Sequence, residues 1–326
     1  MKKVVLVLTV FVFIVAGCEW FIGPTGPAGP EGTAGTDALG TPLIFVPAGN
    51  LAEALAFSDH TLISTGYEGH IYTSTNGASW SDAPINADTL YWAAYGNGCF
   101  VTASSTQVFY SSDEGALWSE AADYGSFDSH QNHSITGLVF GAGTFVAVGS
   151  AGNASPQGFI MRSSYGSAWT DCTPTTASDA FVSVSYTNGQ FIAATQTGSV
   201  YMSTDGGLSW SSPVVIPQYS DIKKIVYGNG LYLIVGDTSL VSTTDFNDFT
   251  TLWEGNASFV SAAFHGGRFT VLCSDYNGFY ALWFTDGQKF FWPAGILPPP
   301  GDHYSDIQWV PWLRGGTYVI SQMGGV

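Results

Sequence analysis

The sequence predicts an all-β protein built as a β-propeller of four-stranded blades. Three observations favour this fold: a repeated glycine–aromatic turn, a repeated Asp-containing turn, and a spacing that matches one blade. Copies of the pattern Gly-x-Phe or Gly-x-Tyr start 37 to 49 residues apart, which is the length of a four-stranded propeller blade. The copies begin at Gly98, Gly143, Gly189, Gly230, Gly267 and Gly316, with a degenerate copy at His60.

One unit shows how the pattern predicts a blade. Phe181 to Tyr186 alternates between apolar and polar residues, as a first strand with one buried face does, and Asn188-Gly189 supplies the turn after it. Phe191 to Thr195 returns as the second strand, and Val200 to Ser203 forms the third. We expect Trp210 to lie in the fourth strand, after which the next unit begins.

The last unit predicts how the ring closes. It has only two strands, Asp306 to Trp312 and Thr317 to Gln322. Thr41 to Pro47 precedes the first unit and can supply the missing outer strand, which would remove exposed sheet edges. We therefore expect seven blades, the last closed by the N-terminal strand. Six blades and an appendage is the alternative.

A second repeated turn connects the third and fourth strands. Its Asp accepts backbone N–H bonds, its Gly takes positive φ, and its Trp packs back over the hairpin. The pattern Ser-x-Asp-x-Gly-x-x-Trp resembles the Asp box, or bacterial neuraminidase repeat, and residues 50–323 resemble bacterial Asp-box propeller lipoproteins. The resemblance implies a structural turn away from the ligand face. The full copies are Ser111, Asp113, Gly115, Trp118 and Ser203, Asp205, Gly207, Trp210.

The first residues predict a lipoprotein signal peptide over residues 1–17. Met1-Lys2-Lys3 is positively charged, and Val4 to Val15 is an apolar run too short to span a bilayer comfortably. Val15-Ala16-Gly17-Cys18 resembles the lipobox of bacterial lipoproteins. The resemblance implies cleavage before Cys18, lipid on its sulfur, and a location in the bacterial cell envelope, periplasmic or surface-exposed. An ordinary signal peptide is the alternative.

A tether and one large domain are expected to follow. Gly23 to Asp37 has Gly at every third position and resembles bacterial collagen-like sequence. Residues 18–40 are expected to form a lipid-anchored polyproline-II spacer, rising about 3.1 Å per residue. Residues 41–326 then form the propeller. We expect a monomer, and a trimer held through Gly23 to Asp37 is the alternative.

The composition excludes some partners. The formal net charge is −17 and the chain has only eight Lys and Arg residues. Nucleic acid, whose phosphates need clustered cations, is therefore not an expected partner. A basic patch for anionic lipid is excluded for the same reason. The expected partners are the membrane, through the lipid anchor, and an unknown protein or glycan.

Candidate ligand residues are expected on one face of the propeller. Connections from second to third strands, and from fourth strands to the next blade, surround one end of the central tunnel, which we call the mouth face. The other turns of each blade lie on the opposite side, the turn face. Loops predicted on the mouth face mix carboxylates, aromatic rings and imidazoles, which suit a sugar or a cation. The candidates are Asp128, His130, His133, Tyr219, Asp221, His303, Tyr304 and Asp306.

Metal and cofactor sites are not predicted. His130 and His133 lie three residues apart with Asp128 nearby, a pattern that zinc or another divalent ion can use. One loop pair of this kind is weak support for a metal site. Glycine-rich phosphate loops and calcium-loop spacings are absent from the sequence.

The Asp box first suggests a sialidase, whose site needs three converging Arg residues. The three Arg residues of the chain, Arg162, Arg268 and Arg314, are all expected at the turn face, which disfavours this activity. The sequence favours a non-catalytic, envelope-anchored propeller that presents a binding face to a protein or glycan. A carbohydrate-active hydrolase with two carboxylates on the mouth face is the alternative. Photosystem II stability factors share similar repeats and suggest an assembly factor as a third class.

Overall fold

In the computed structural model, the described residues form seven β-sheets. Six have four strands and the seventh has three. The helical content of the described part is one 3-10 turn at Tyr67–Gly69, and no helix there is long and apolar enough to cross a membrane. The expected signal peptide and tether lie outside the described residues. Those are 43–45, 52–121, 133–152, 157–216, 222–254, 257–274, 280–285, 287, 290–296, 303–311 and 317–323.

The first strands of the sheets lie side by side in a closed ring. Each contacts the first strands of both neighbouring sheets, and the last contacts the first. The sheets are therefore the blades of a propeller, which confirms the predicted fold class. These first strands are β2 (Ala52–Phe57), β6 (Trp92–Gly96), β10 (His133–Gly141), β14 (Phe181–Thr187), β18 (Lys224–Gly228), β22 (Ser258–His265) and β26 (His303–Val310).

Tight turns lead from the first strands into the second strands. At Asn97-Gly98, Asn188-Gly189 and Asn229-Gly230 both residues have positive φ, as two-residue hairpin turns require. This backbone demand explains the regular glycine of the sequence repeat. The second strands are β3 (Leu62–Gly66), β7 (Cys99–Ala103), β11 (Thr144–Ala151), β15 (Gln190–Thr195), β19 (Leu231–Val235), β23 (Arg268–Ser274) and β27 (Thr317–Met323).

The fourth strands have only two residues each in the first four blades. The third strands are β4 (Ile71–Ser74), β8 (Val108–Ser111), β12 (Gln157–Ser163), β16 (Ser199–Ser203), β20 (Ser239–Thr243) and β24 (Tyr280–Thr285). The fourth strands are β5 (Ser81–Asp82), β9 (Ser119–Glu120), β13 (Thr170–Asp171), β17 (Val214–Val215), β21 (Thr250–Glu254) and β25 (Phe290–Ile296). Trp210 was expected in a fourth strand, but it precedes β17, and its ring centroid lies 6.5 Å from that of Phe191.

The N-terminal strand closes the seventh blade, as the sequence predicts, but in a parallel arrangement. β1 (Leu43–Phe45) pairs with β27, with Leu43 opposite Tyr318 and Phe45 opposite Ile320. Neighbouring strands of a blade alternate in direction, so a fourth strand runs the same way as the second. No third strand separates the two among the described residues. β1 therefore lies directly beside β27 and is parallel to it.

A cross-strand aromatic pair recurs beside the turn face. In five blades the ring centroids are 4.6 to 4.8 Å apart and the rings are tilted by 50° to 57°. Tilted pairs at this distance stabilise the blade beyond the area that they bury. The pairs are Tyr95–Phe100, Phe140–Phe145, Tyr186–Phe191, Tyr227–Tyr232 and Phe264–Phe269.

Three glycines at the ends of first strands let these rings approach the preceding blade. A Cβ atom at any of the three would overlap an aromatic ring of the next blade. The distance between these blades is therefore set by a flat ring lying on bare backbone. The contacts are Gly96 with Phe140, Gly141 with Tyr186, and Gly228 with Phe264.

Candidate functional site

The first strands enclose a central tunnel. A cavity of about 720 Å³ is lined by residues from the first strands of all seven blades. Each first strand begins on the mouth face and ends at the turn face, so the starts of the seven strands surround one end of the cavity. A concave space of this size, with polar and aromatic groups in its wall, is the default place to look for a ligand.

Each first strand carries one extra residue near the mouth face. In the first blade, Ala52 pairs with Gly66 and Ala54 with Thr65, so Glu53 has no residue opposite it. Such a β-bulge bends the strand and redirects its side chains. The register shifts in the same way at Thr136, Val182, Val260 and Ser305.

Blades two and five show the same irregularity through their hydrogen bonds. The Tyr91 N–H donates to the carbonyl of the residue opposite Trp92. The Lys223 N–H donates to the carbonyl of the residue opposite Lys224. We call the seven bulge positions the mouth ring. They are Glu53, Tyr91, Thr136, Val182, Lys223, Val260 and Ser305.

The mouth ring differs chemically from the rings deeper in the tunnel wall. It holds a carboxylate, a phenol, an ammonium, two hydroxyls and two valines. Two residues further along each strand the side chains are all aliphatic: Leu55, Ala93, Leu138, Val184, Ile225, Ala262 and Ile307. Four residues further along they are all aromatic: Phe57, Tyr95, Phe140, Tyr186, Tyr227, Phe264 and Trp309.

Comparing residue types at equivalent positions of the blades distinguishes positions that serve packing from positions that are available for binding. The seven blades repeat one backbone arrangement, so equivalent positions face similar packing demands. A position that keeps one chemical type in every blade serves the fold, whereas packing does not dictate the type at a position that changes from blade to blade. The mouth ring, whose members except Val182 line the cavity, is therefore the candidate binding surface.

Charged side chains occupy two separate parts of the mouth ring. In blade one, burial raises the pKa of the Glu53 carboxyl, which has no hydrogen bond or ion pair within the described residues. In blade five, Lys223 Nζ donates to Asp237 Oδ1 at 2.6 Å and to the Phe259 carbonyl at 2.9 Å. The hydrogen bond from Lys223 is the main reason that the pKa of Asp237 is lowered. The lysine is thus held by blades five and six, whereas no described residue holds the glutamate.

Two aromatic rings stand between these charges on one side of the mouth. Tyr91 is 43% exposed. Its ring centroid lies 5.3 Å from that of Trp92, with an angle of 55° between the ring planes. Exposed aromatic rings at the rim of a cavity are typical anchors for a ligand.

Hydroxyl groups in the tunnel wall link neighbouring blades. Their hydrogen bonds run from one first strand to the next, so they stabilise the ring of blades close to the candidate site. The bonds are Thr136 Oγ1 to the Phe181 carbonyl at 2.8 Å, Ile225 N–H to Ser185 Oγ at 3.1 Å, and Lys224 Nζ to Ser261 Oγ at 2.9 Å.

One of the sequence-predicted ligand residues has a described side chain. His133 is the first residue of β10, at the mouth face, and its Nε2 lies 3.2 Å from the Thr106 carbonyl. His303, Tyr304 and Asp306 lie at the start of β26, so their strand brings them to the same face. β26 and β10 are separated by the first strands of blades one and two. Asp128, His130, Tyr219 and Asp221 lie outside the described residues.

Metal ligands and arginines do not gather at the mouth ring in the described part of the chain. No three His, Cys, Asp or Glu side chains there lie close enough together to hold a metal ion. Arg162, whose Nη2 donates to Thr144 Oγ1 at 3.1 Å, lies near the turn-face end of β12, and Arg268 starts β23 at the same face. Arg314 lies outside the described residues.

The Asp-containing turns form a closed hydrogen-bond network. Asp205 Oδ1 accepts from the N–H groups of Leu208 and Ser209 at 3.1 and 3.0 Å, and from the Ser203 hydroxyl at 2.8 Å. Asp205 Oδ2 accepts from the Ser209 hydroxyl at 2.5 Å. These bonds, chiefly that from the Ser209 hydroxyl, lower the pKa of Asp205 from 3.8 to about 2.

The second copy of the turn shares part of this pattern. Asp113 Oδ1 accepts from Leu117 N–H at 2.9 Å and from the Ser111 hydroxyl at 2.7 Å. Trp118 Nε1 donates to the Gly115 carbonyl at 3.1 Å. A Cβ at Gly115 would touch residues of blade one, so the turn packs on the preceding blade. These contacts are structural and lie at the turn face.

Comparison with known proteins supports the architecture. Neither a protein-family model nor a curated protein sequence matches the chain. YCF48 from Cyanidioschyzon merolae is similar in structure with a TM-score of 0.53 and 14% identity, over 68% of this chain and 79% of that one. A structure described as YCF48 bound to D1 peptide is similar with a TM-score of 0.52 and 15% identity, over 69% of this chain and 75% of that one. The fold is a β-propeller. The crystal structure of the WD40 β-propeller domain of Doa1 agrees, with a TM-score of 0.61 and 8% identity over 84% and 90%.

The residues of the mouth ring were missed by the sequence analysis. The sequence-predicted ligand residues come from segments predicted to be polar loops, whereas Glu53, Tyr91 and Lys223 lie at the starts of strands. A signal was available in the sequence: aligning the first six units on their turns brings these three residues to one position, seven residues before each turn, where the chemical type changes from unit to unit.

Proposed function

We propose that the protein is a lipid-anchored propeller of the bacterial cell envelope whose mouth face binds a partner without catalysis. A protein partner is favoured over a glycan. The observation that carries the proposal is the chemical diversity of the mouth ring, set against the uniform aliphatic and aromatic rings beneath it. Propellers offer such a face because their blades form a rigid frame that leaves the rim positions open to variation.

A similar propeller is known with a peptide. One of the similar structures is described as YCF48 bound to D1 peptide. At 15% identity that likeness concerns the fold, and it supports the proposal only by showing that a propeller of this shape accommodates a peptide. The exposed Tyr91 beside Trp92 supplies the kind of rigid aromatic anchor on which protein interfaces commonly depend.

Site-specific photo-crosslinking in cells tests this function. A photoreactive phenylalanine replaces Tyr91 on the mouth face and, as a matched control, Leu208 on the turn face, where the native side chain is 59% exposed. We expect one discrete adduct from position 91 and none from position 208. Adducts formed from position 208 alone would show that the turn face binds the partner instead.

A glycan array distinguishes the remaining alternatives. Residues 39–326 are tested for both binding and cleavage of each glycan. Binding or cleavage of a specific glycan would contradict a protein partner and, if cleavage occurs, would favour a carbohydrate-active hydrolase. A blank array, with an adduct from position 91, is the result that we expect.

The lipid anchor has its own test. Replacing Cys18→Ala removes the thiol that the lipobox resemblance marks for lipid attachment. We expect the variant to lose the lipid mass and to leave the membrane fraction. Unchanged membrane retention of the variant would contradict the anchor while leaving the binding face untouched.

A further inference from the structure

The carboxylate of Glu53 is partly buried, which favours a bound cation as its partner. It is partly buried at the tunnel wall and has no hydrogen bond or ion pair within the described residues. Removing a carboxylate from water costs free energy unless a cation or donor replaces the lost hydration. The rise in the pKa of Glu53 has this same physical origin. A bound cation would recover the lost solvation.

The neighbouring blade carries two aromatic rings at the same end of the tunnel wall. Tyr91 occupies the equivalent bulge position in the neighbouring blade, and the strands that carry Glu53 and Tyr91 contact each other. Trp92 follows directly, tilted 55° to Tyr91. The face of an aromatic ring attracts ammonium and guanidinium groups through its quadrupole. A carboxylate and two such rings at one end of the same cavity are groups that together can recognise an organic cation.

The charge of the molecule favours a cationic partner. The chain carries a formal net charge of −17, which attracts cations during diffusional encounter. The lysines at the mouth, Lys223 and Lys224, lie in blade five, with two blades between them and blade one on the shorter side of the ring. Lys223 is also paired with Asp237. Screening over about 8 Å at physiological salt further weakens their effect on Glu53.

We propose that Glu53, Tyr91 and Trp92 form a subsite that receives a Lys or Arg side chain of a partner protein. This inference rests on the proposed function, in which the mouth face is the binding face. The cation would pair with the Glu53 carboxylate and lie against the two rings. A bare divalent ion is the poorer occupant, because the described wall provides one carboxylate where such ions take six or more oxygen ligands.

Binding of short peptides tests the subsite directly. The full-length protein in non-ionic detergent is titrated calorimetrically with acetylated, amidated Gly-Gly-Lys-Gly-Gly, and with the same peptide carrying Arg, Gln or Glu at the centre. We expect saturable binding of the Lys and Arg peptides and binding at least about tenfold weaker for the Gln and Glu peptides, since a partly buried ion pair is lost.

Matched variants assign the effect to the subsite. Glu53→Gln should weaken binding of the Lys peptide about tenfold, and Tyr91→Ala about threefold. Glu120→Gln, the same chemical change on the exposed outer strand of blade two, should alter it less than twofold. If Glu53→Gln does not fold, Tyr91→Ala still tests whether the subsite binds the Lys peptide.

The outcomes separate this inference from the proposed function. Equal binding of the Lys and Gln peptides, or an unchanged affinity in Glu53→Gln, would overturn the cation subsite. Preferential binding of the Glu peptide would also overturn it and would point to Lys223 and Lys224. Crosslinking from position 208 alone would overturn the proposed function, whatever the peptides do. Crosslinking from position 91 without Lys or Arg preference would overturn only the subsite.

Discussion

Asp205 shows how one side chain can hold a turn together. It accepts four hydrogen bonds from two hydroxyls and two backbone N–H groups of the same turn. The hydroxyl of Ser203 also accepts from the Gly207 N–H at 3.0 Å, so it connects the carboxylate to the backbone of the turn. The carboxylate is nevertheless close to solvent, which limits the stability that each bond contributes.

We predict that Asp205→Asn lowers the free energy of unfolding by about 1–2 kcal/mol at neutral pH, because an amide accepts these bonds less strongly than a carboxylate. Chemical denaturation measures the loss. Asp113→Asn should give a smaller loss, since that carboxylate accepts hydrogen bonds from Leu117 N–H and the Ser111 hydroxyl but has no counterpart of the Ser209 hydroxyl. A negligible loss in both variants would show that the turns hold without the carboxylate charge.

The same turn predicts a pH dependence. The pKa of Asp205 in the folded protein is about 2, below its ordinary value of 3.8. A depressed folded pKa stabilises the protein above the unfolded value, and this contribution disappears as the pH falls toward 2. The difference in melting temperature between wild type and Asp205→Asn should therefore be largest above pH 5 and shrink toward pH 2. A difference that grows on acidification would contradict this assignment.

Glycines at the ends of first strands set the contact between blades. At Gly141 a Cβ would overlap the ring of Tyr186, whereas at Gly143, in the following turn, a Cβ would meet no atom within 4 Å. We predict that Gly141→Ala costs about 3 kcal/mol or more through overpacking, and Gly143→Ala only about 1–2 kcal/mol through its positive φ. Denaturation of both variants measures the difference. Equal losses of unfolding free energy in the two variants would show that the blades can move apart at no cost in free energy.

The strands and their turns could be predicted from the sequence, and the bulges could not. Alternation from Phe181 and the turn at Asn188-Gly189 are local signals, and both are found in the structure. A bulge instead depends on how many residues the neighbouring strand provides opposite it. This number cannot be read from the sequence of one strand alone. The bulge at Glu53 therefore leaves no signal within its own strand, and the candidate binding surface emerges only when equivalent positions of the blades are compared.

Closure of the ring can be tested at β1. Its pairing with β27 is short, spanning Leu43 to Phe45. We predict that Ile44→Pro lowers the melting temperature by about 5 °C and promotes self-association, because proline removes a ladder hydrogen bond and opens a sheet edge. Calorimetry and light scattering measure these effects. Val215→Pro, in the outer strand of a complete four-stranded blade, is the control and should lower it less.

The direction of β1 has a consequence for the whole molecule. β1 starts beside Tyr318, at the turn-face end of β27, so the segment that precedes Leu43 joins the propeller on the turn face. If Cys18 carries lipid as proposed, the attachment point and the mouth ring occupy opposite poles of the propeller. The mouth ring would then face away from the membrane. A partner anchored in that same membrane would have to extend past the propeller to bind there.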